Sequence, residues 1–378
     1  MIKSKLPQVS DSIFTTMSRL AQKYDALNLS QGFPSFPVDP VLKSLHQEAI
    51  GQDQNQYAPM AGLPKLRIKL SQMTQEQHGA FYDPDTEICL TAGATQGIFS
   101  AIQATVHQGD EVILFTPAYD CYAPAVELAG GKVIAIPMQV PEFTIDWEQV
   151  ERQVSDRTRM IIINSPHNPS GNMLTQQDML ALQEIVLRHQ LYVLSDEVYE
   201  YIAFDGRTHY SAAAFEGLRE RSFVTGSFGK TFHVTGWKMG YCLAPKAMMQ
   251  EFFKVHQYVV YCVNRPVQQA IAQYLKQPER YTELGKYYQR KRDLFLNLIN
   301  ESRFKYVPTH GSYFQLLDYS AISEEGDVDF AKRLTRDHKI AGIPISVFMD
   351  GNDPKMLRFC FAKEDEELVQ AATILNRL

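Results

Sequence analysis

The sequence predicts an α/β protein, a mostly parallel sheet with helices on both faces, followed by a smaller α+β unit. Three observations predict it. From about Leu63 onward, short apolar runs alternate with amphipathic stretches, as successive strand–helix units require. One run, Met160–Ile163, is apolar at every position, as a strand buried on both faces is. After about Pro266 the alternation gives way to long helical stretches and then to a mixed set of elements.

Each element has a local reason. Residues 1–40 read as an irregular arm, because NLSQGFPSFP (Asn28–Pro37) is too rich in Gly and Pro to continue a helix or a central strand. Pro64 suits the first turn of a helix that carries Leu66, Leu70 and Met73 on one face. EICLT (Glu87–Thr91) reads as a strand. Gly93, Ala94 and Thr95 then open a helix with Ile98, Ala101, Ile102 and Val106 on one side. Further strands fall at Glu111–Phe115, Lys132–Pro137, Arg159–Asn164, Leu191–Ser195, Ser222–Gly226 and Met239–Ala244. Thr175 and Asp178 are spaced as a capping box for the helix that follows. The last part of the chain offers a helix around Tyr281–Asn300, the strand-like GSYFQLL, a helix near Val328–Arg336, the strand Leu357–Ala362 and a closing helix from Lys363. The expected division is an arm and small-domain segment at 1–40, a large domain at 41–275 and a small domain at 276–378.

Composition narrows the function classes. A chain of 378 residues is too long for one small core, which favours two domains. Charged residues are 21% and hydrophobic ones 45%, so disorder is not expected. The net charge of −6 gives no general attraction to nucleic acid. The five cysteines form no C-x-x-C pair, which points to free thiols in a reducing, cytoplasmic compartment. The N-terminus lacks the apolar stretch of a signal peptide, and no apolar run reaches membrane-spanning length. No histidine spacing suggests a metal site. There is no phosphate loop of the G-x-x-x-x-G-K type, no dinucleotide fingerprint and no G-x-S-x-G elbow.

Ligands of open α/β sheets bind beyond the carboxyl ends of the strands. Five such ends carry chemistry here. They are Ala92–Thr95, Thr116–Tyr119, Ser165–Gly171, Asp196–Tyr199 and Ser227–Lys230. If their strands are parallel neighbours, one crevice receives small backbone donors, an aromatic ring, an amide, an acid, a phenol and a lysine.

With these residues in view, the chain resembles the class I and II aminotransferases of pyridoxal-phosphate (PLP) fold type I, most closely the methionine and kynurenine aminotransferase branch. The resembling segments are NLSQGFP, NQYAP, TAGAT, PAYDCYAP, NSPHNPSG, SDEVYE, SFGKTFHVTGWKMGY and LRFCFA, in the family's order from Asn28 to Ala362. The resemblance implies that Lys230 is the Schiff-base lysine and the carrier of the substrate Cα proton. Asp196 pairs with the pyridine nitrogen, and Tyr199 and Asn168 contact the ring oxygen. Tyr119 stacks on the ring, with Tyr122 competing for that slot. Ala94, Thr95, Ser227 and Lys238 hold the phosphate, Lys238 standing where many relatives carry Arg. Arg358 and the backbone of Gly32 bind the substrate α-carboxylate. Tyr57 reaches the phosphate of the other subunit, which implies a homodimer with shared sites. Phe14, Phe33 and, across the interface, Tyr261 surround the substrate side chain. No Arg or Lys stands among these three, so a long apolar donor is expected, methionine first and aromatic amino acids or kynurenine next.

The expected activity is transfer of an amino group from such an L-amino acid to a 2-oxo acid by ping-pong kinetics. Two other readings share parts of the pattern. A PLP-dependent carbon–sulfur β-lyase would hold the cofactor in nearly the same way. A non-catalytic amino-acid sensor on this fold would need a fused DNA-binding segment, and no basic helix precedes the cofactor domain.

Overall fold

The computed structural model describes residues 2–7, 9, 11–349 and 351–378. Its first correction lies near the N-terminus, where residues 1–40 are only partly an irregular arm. Helix α1 runs over Ile13–Lys23 and strand β1 over Leu27–Asn28. The Ser12 side chain accepts from the Thr15 N–H and caps α1, while Met17 and Ala21 bury one face. The spacing of Ile13, Met17, Leu20 and Ala21 is helical, a signal overshadowed by the Gly- and Pro-rich run that follows. That run behaves as expected: Leu29–Asp39 holds neither helix nor strand.

Helix α2 (Pro40–Gly51) is capped by the Asp39 side chain on the Val41 N–H. Helix α3 spans Pro64–His78, with Leu66, Leu70 and Met73 buried as expected. The central sheet then takes β2 (Ile88–Thr91), β3 (Glu111–Thr116), β4 (Lys132–Pro137), β5 (Thr158–Asn164), β6 (Tyr192–Asp196), β7 (Ser222–Ser227) and β8 (Gly240–Leu243). Their spatial order is β2-β8-β7-β6-β5-β3-β4. Neighbouring pairs from β7 to β4 are parallel, whereas β8 runs against both β2 and β7. Six strands therefore end at the same edge. Strands β2, β3, β7 and β8 are buried at every position, while the outer strand β4 is largely open. Removing a side chain such as Ile162 from this core would cost about 2–5 kcal/mol.

Helix α4 (Ala94–Thr105) leaves the end of β2 at once, so its first turn lies beside the strand ends. The Thr175–Asp178 capping box is present at the start of the helix Gln176–His189. Toward the C-terminus come β9 (Phe314–Asp318), β10 (Ile340–Ala341), β11 (Ile343–Pro344) and β12 (Met356–Cys360). β12 lies between β11 and β9 in an antiparallel sheet, with Arg358 opposite Ile343 and Leu316. β1 pairs in parallel with β10, which joins the N-terminal segment to this unit. Among the described residues no helix is long and apolar enough to cross a membrane.

Candidate active site

The strand-end segments meet in one cavity of about 350 Å³. Its wall includes thirteen of the residues singled out in the sequence: Phe14, Gly32, Phe33, Ala94, Thr95, Tyr119, Asn168, Asp196, Tyr199, Ser227, Lys230, Lys238 and Arg358. Tyr57 and Tyr261 are not in this wall. They lie on the surface, 80% and 46% exposed, with their rings edge to face at 5.5 Å.

One end of the cavity is built for an anion. The N–H groups that open a helix lack partners inside it, and the helix dipole adds positive character there. Ala94 and Thr95 are in that first turn of α4. Gly93 precedes them at φ +75°, a conformation L side chains rarely adopt, and a Cβ there would come within 3.2 Å of Lys238 Nζ. The Lys238 ammonium thus sits against the opening of the helix, and Ser227 and Thr95 add hydroxyls.

A carboxylate stands at the end of β6. Asp196 is 3% exposed and accepts the Tyr122 phenol on Oδ2 at 2.6 Å. This separates the two tyrosines that competed for one slot in the sequence. Tyr119 faces the cavity, and Tyr122 is buried, its hydroxyl on Asp196.

Between these ends lies Lys230, whose Nζ donates to the Gly32 carbonyl at 3.1 Å. Tyr313 donates to the same carbonyl at 2.7 Å. The Gly32 chain runs so close to Phe314 that a Cβ would fall 2.8 Å from its ring. Arg358, 1% exposed, donates through Nη1 to Asn168 Oδ1 at 2.7 Å and through Nη2 to the Ser30 carbonyl at 2.9 Å. Its Nε is buried without a partner, and its guanidinium lies 4.0 Å from the Phe314 ring and 5.2 Å from Phe14. A buried cation with an unused donor is suited to receive an anionic ligand.

Comparisons with known proteins point the same way. The family model for aminotransferase class I and II matches residues 24–375. The chain is 47% identical to the methionine aminotransferase of Escherichia coli K12, across all of this chain and 98% of that protein. It is 33% identical to kynurenine–oxoglutarate transaminase 3 of Mus musculus, across 98% of this chain and 89% of that one. The crystal structure of YbdL from Escherichia coli, described with a methionine aminotransferase function, matches with a TM-score of 0.98 at 46% identity over the whole of both chains. The chain belongs to the class I and II aminotransferases.

These aminotransferases depend on PLP, and the cavity offers what that group needs: an anion seat, an aromatic face at Tyr119, a buried carboxylate and an amine between them. The electrostatics agree with its chemistry. Burial pushes the Asp196 carboxyl up to about 6, against the pull of Tyr122 and Lys230. Burial, helped by the Arg358 and Lys238 charges, pushes the Lys230 amine down to about 8. A lysine so shifted is partly a free amine near neutral pH, which a nucleophile and proton carrier must be.

Several wall residues were not singled out in the sequence. Asn164, the last residue of β5, bonds the Asp196 carbonyl through Nδ2 at 2.8 Å and receives the Asn168 N–H on Oδ1 at 2.8 Å. Its position at a strand end was the available signal. Phe314 and Gln31 also face the cavity; the neighbouring Gly32 was the one hint toward Gln31, and Phe314 had none.

Proposed function

We propose that this aminotransferase takes its amino group from L-amino acids with a long apolar side chain, methionine first and aromatic amino acids or kynurenine second. One observation carries the reading. The cations of the cavity wall are Lys230, Lys238 and Arg358, each with a use in this reading in holding the cofactor or the α-carboxylate, and the same wall carries the aromatic rings of Phe14 and Phe33. A second carboxylate on the donor would be buried there without a partner. A thioether chain gains about 0.8 kcal/mol per buried methylene and packs well on aromatic rings. The names of the Escherichia coli and mouse relatives support the same order of donors.

When bound, PLP supplies an aldehyde for the substrate nitrogen and a ring that accepts electrons from Cα. In this reading Lys230 would hold the group covalently and would take the Cα proton. Asp196 would keep the ring nitrogen protonated, Tyr199 and Asn168 would bond the ring oxygen, and Tyr119 would cover the ring face. Ala94, Thr95, Ser227 and Lys238 seat the phosphate. Arg358 and Gly32 orient the substrate carboxylate, so that only the side chain varies between donors. The same residues serve the 2-oxo acid in the second half of a ping-pong cycle.

The reading extends to assembly. Tyr57 and Tyr261 lie outside their own cavity and are exposed, as residues that complete a neighbour's site would be. We place the working form as a cytoplasmic homodimer, each chain divided at 1–40, 41–275 and 276–378. Mixed Tyr57→Phe and Lys230→Ala subunits should then recover activity above either parent, and no recovery after proven subunit exchange would remove the shared site.

The donor reading is tested by kcat/KM for methionine, phenylalanine, leucine and aspartate with one 2-oxo acid. Methionine should lead and aspartate trail. Aspartate ahead of methionine would overturn the apolar donor. Ammonia released from a sulfur amino acid without any 2-oxo acid would indicate the carbon–sulfur lyase instead.

A further inference from the structure

We propose that Gln31 and Ser18 form a latch that seats Phe14 over Arg358, making them positioning residues for the choice of donor side chain. The inference rests on the apolar-donor reading above. Phe14 belongs to the first turn of α1, at the end of the helix reached directly from the exposed residues Asp11 and Ser12. In that turn Ile13 and Phe14 are only partly buried against the core. The buried face of α1 is set by Met17 and Ala21, further along the helix.

Gln31 adds a polar constraint to this apolar packing. Its Nε2 donates to the Phe14 carbonyl at 3.0 Å and also to Ser18 Oγ. These acceptors are four residues apart, so they stack on one side of the helix. One amide therefore grips two successive turns and fixes both the rotation and the height of α1 at Phe14. The ring then meets the Arg358 guanidinium at 5.2 Å and the Phe348 ring at 5.7 Å.

The other side of the latch is tied to the chemistry. Gln31 adjoins Gly32, whose carbonyl receives Lys230 and Tyr313. The aromatic wall is thus referenced to the loop that touches the lysine, through one peptide unit. A donor carboxylate on Arg358 would lie beneath Phe14, and an unbranched apolar side chain would extend along its ring. A donor with only a methyl side chain would leave most of that ring untouched.

The experiment compares Ser18→Ala, Gln31→Leu and Phe14→Ala holoenzymes with methionine and with alanine as donors. Ser18→Ala should raise KM for methionine about three- to tenfold, the range for one hydrogen bond, with kcat held, and Gln31→Leu should raise KM at least as much. In Ser18→Ala, activity with alanine should change less than twofold. Ser18→Thr, which keeps a hydroxyl, should restore the wild-type ratio. In a Phe14→Ala background, Ser18→Ala should add nothing. Binding of hexanoate against acetate, measured by calorimetry, should report the same selectivity without turnover. Equal losses for both donors, or full additivity with Phe14→Ala, would overturn the latch. A wild-type preference for aspartate would overturn the donor reading itself, whereas a wild-type preference for methionine with an inert Ser18→Ala would overturn the latch alone.

Discussion

The two halves of the cavity are built differently. The strand-end half carries Asp196, Asn164 and Ser227, each the last residue of a strand whose neighbours fix it by paired backbone bonds, and Lys230, three residues beyond β7. The N-terminal half carries Phe14, Gln31, Gly32 and Phe33, which sit on a helix end and an irregular loop. That half is held by side chains reaching backbone atoms, such as Tyr313 and Lys230 on the Gly32 carbonyl and Lys363 on the Phe33 carbonyl at 3.3 Å. The difference teaches a division of labour. In the proposed reading the sheet places groups that serve every substrate, whereas Phe14 and Phe33, the groups that would meet the variable part of a substrate, are held by side-chain contacts, on either side of Gly32, which would serve every substrate as well.

Substitutions can break that comparison. The largest effect is expected at Lys230→Ala, which in the proposed reading removes both the covalent anchor and the proton carrier. Turnover should fall by at least about a thousandfold with every donor, as stopped assays of each would show. Substantial transamination by this variant would dissolve the distinction. Arg358→Lys should come next, because one ammonium cannot replace a fork of parallel bonds. A loss in kcat/KM of about tenfold or more is expected, similar for methionine and alanine.

A third test separates placement from stability. The Asp196 carboxyl is raised from 3.8 to about 6, so the native chain holds its proton more tightly than the unfolded chain between those values. The stability this contributes is full below about pH 4 and is lost as pH rises through 6, a swing of about 3 kcal/mol. In cofactor-free protein, Asp196→Asn should therefore raise the melting temperature relative to wild type at pH 8, and the gap should close toward pH 4. A variant less stable than wild type at pH 8 would mean the buried charge is no burden.

The smallest effect is expected at Phe33→Ala. Phe33 is 46% exposed, so only part of its surface can meet a substrate. A loss of about two- to fivefold with methionine and none with alanine would fit the donor-specific role of its half. Equal losses with both donors would show that the halves are not separable.

The same contrast explains what could be read in the sequence. The strands of a mostly parallel sheet and the groups at their ends were legible, because apolar runs mark buried strands and a strand end fixes where the next residue goes; the reversal of β8 was not. Helix α1 was missed although Ile13, Met17, Leu20 and Ala21 carry its period, since the adjacent Gly- and Pro-rich run dominated that region. The separate positions of Tyr119 and Tyr122 were not legible. Both follow the same strand, and only the turn between them decides which one enters the cavity and which turns back to Asp196. Tyr57 and Tyr261 were reached by resemblance alone, and a single chain places them away from its own cavity.

The reversed strand β8 has a consequence for how the chain comes to its final form. β2 has no partner in the sheet except β8, so Ile88–Thr91 must wait until Gly240–Leu243 has been made. About 150 residues separate the two, and closing so long a loop is slow and late compared with pairing of near neighbours. Lys238 lies two residues before β8 and comes to rest against Gly93, two residues after β2. The event that closes the sheet is therefore the same event that brings this lysine to the mouth of α4. A nascent chain still short of β8 can have its parallel strands in register and yet hold no complete seat for an anion.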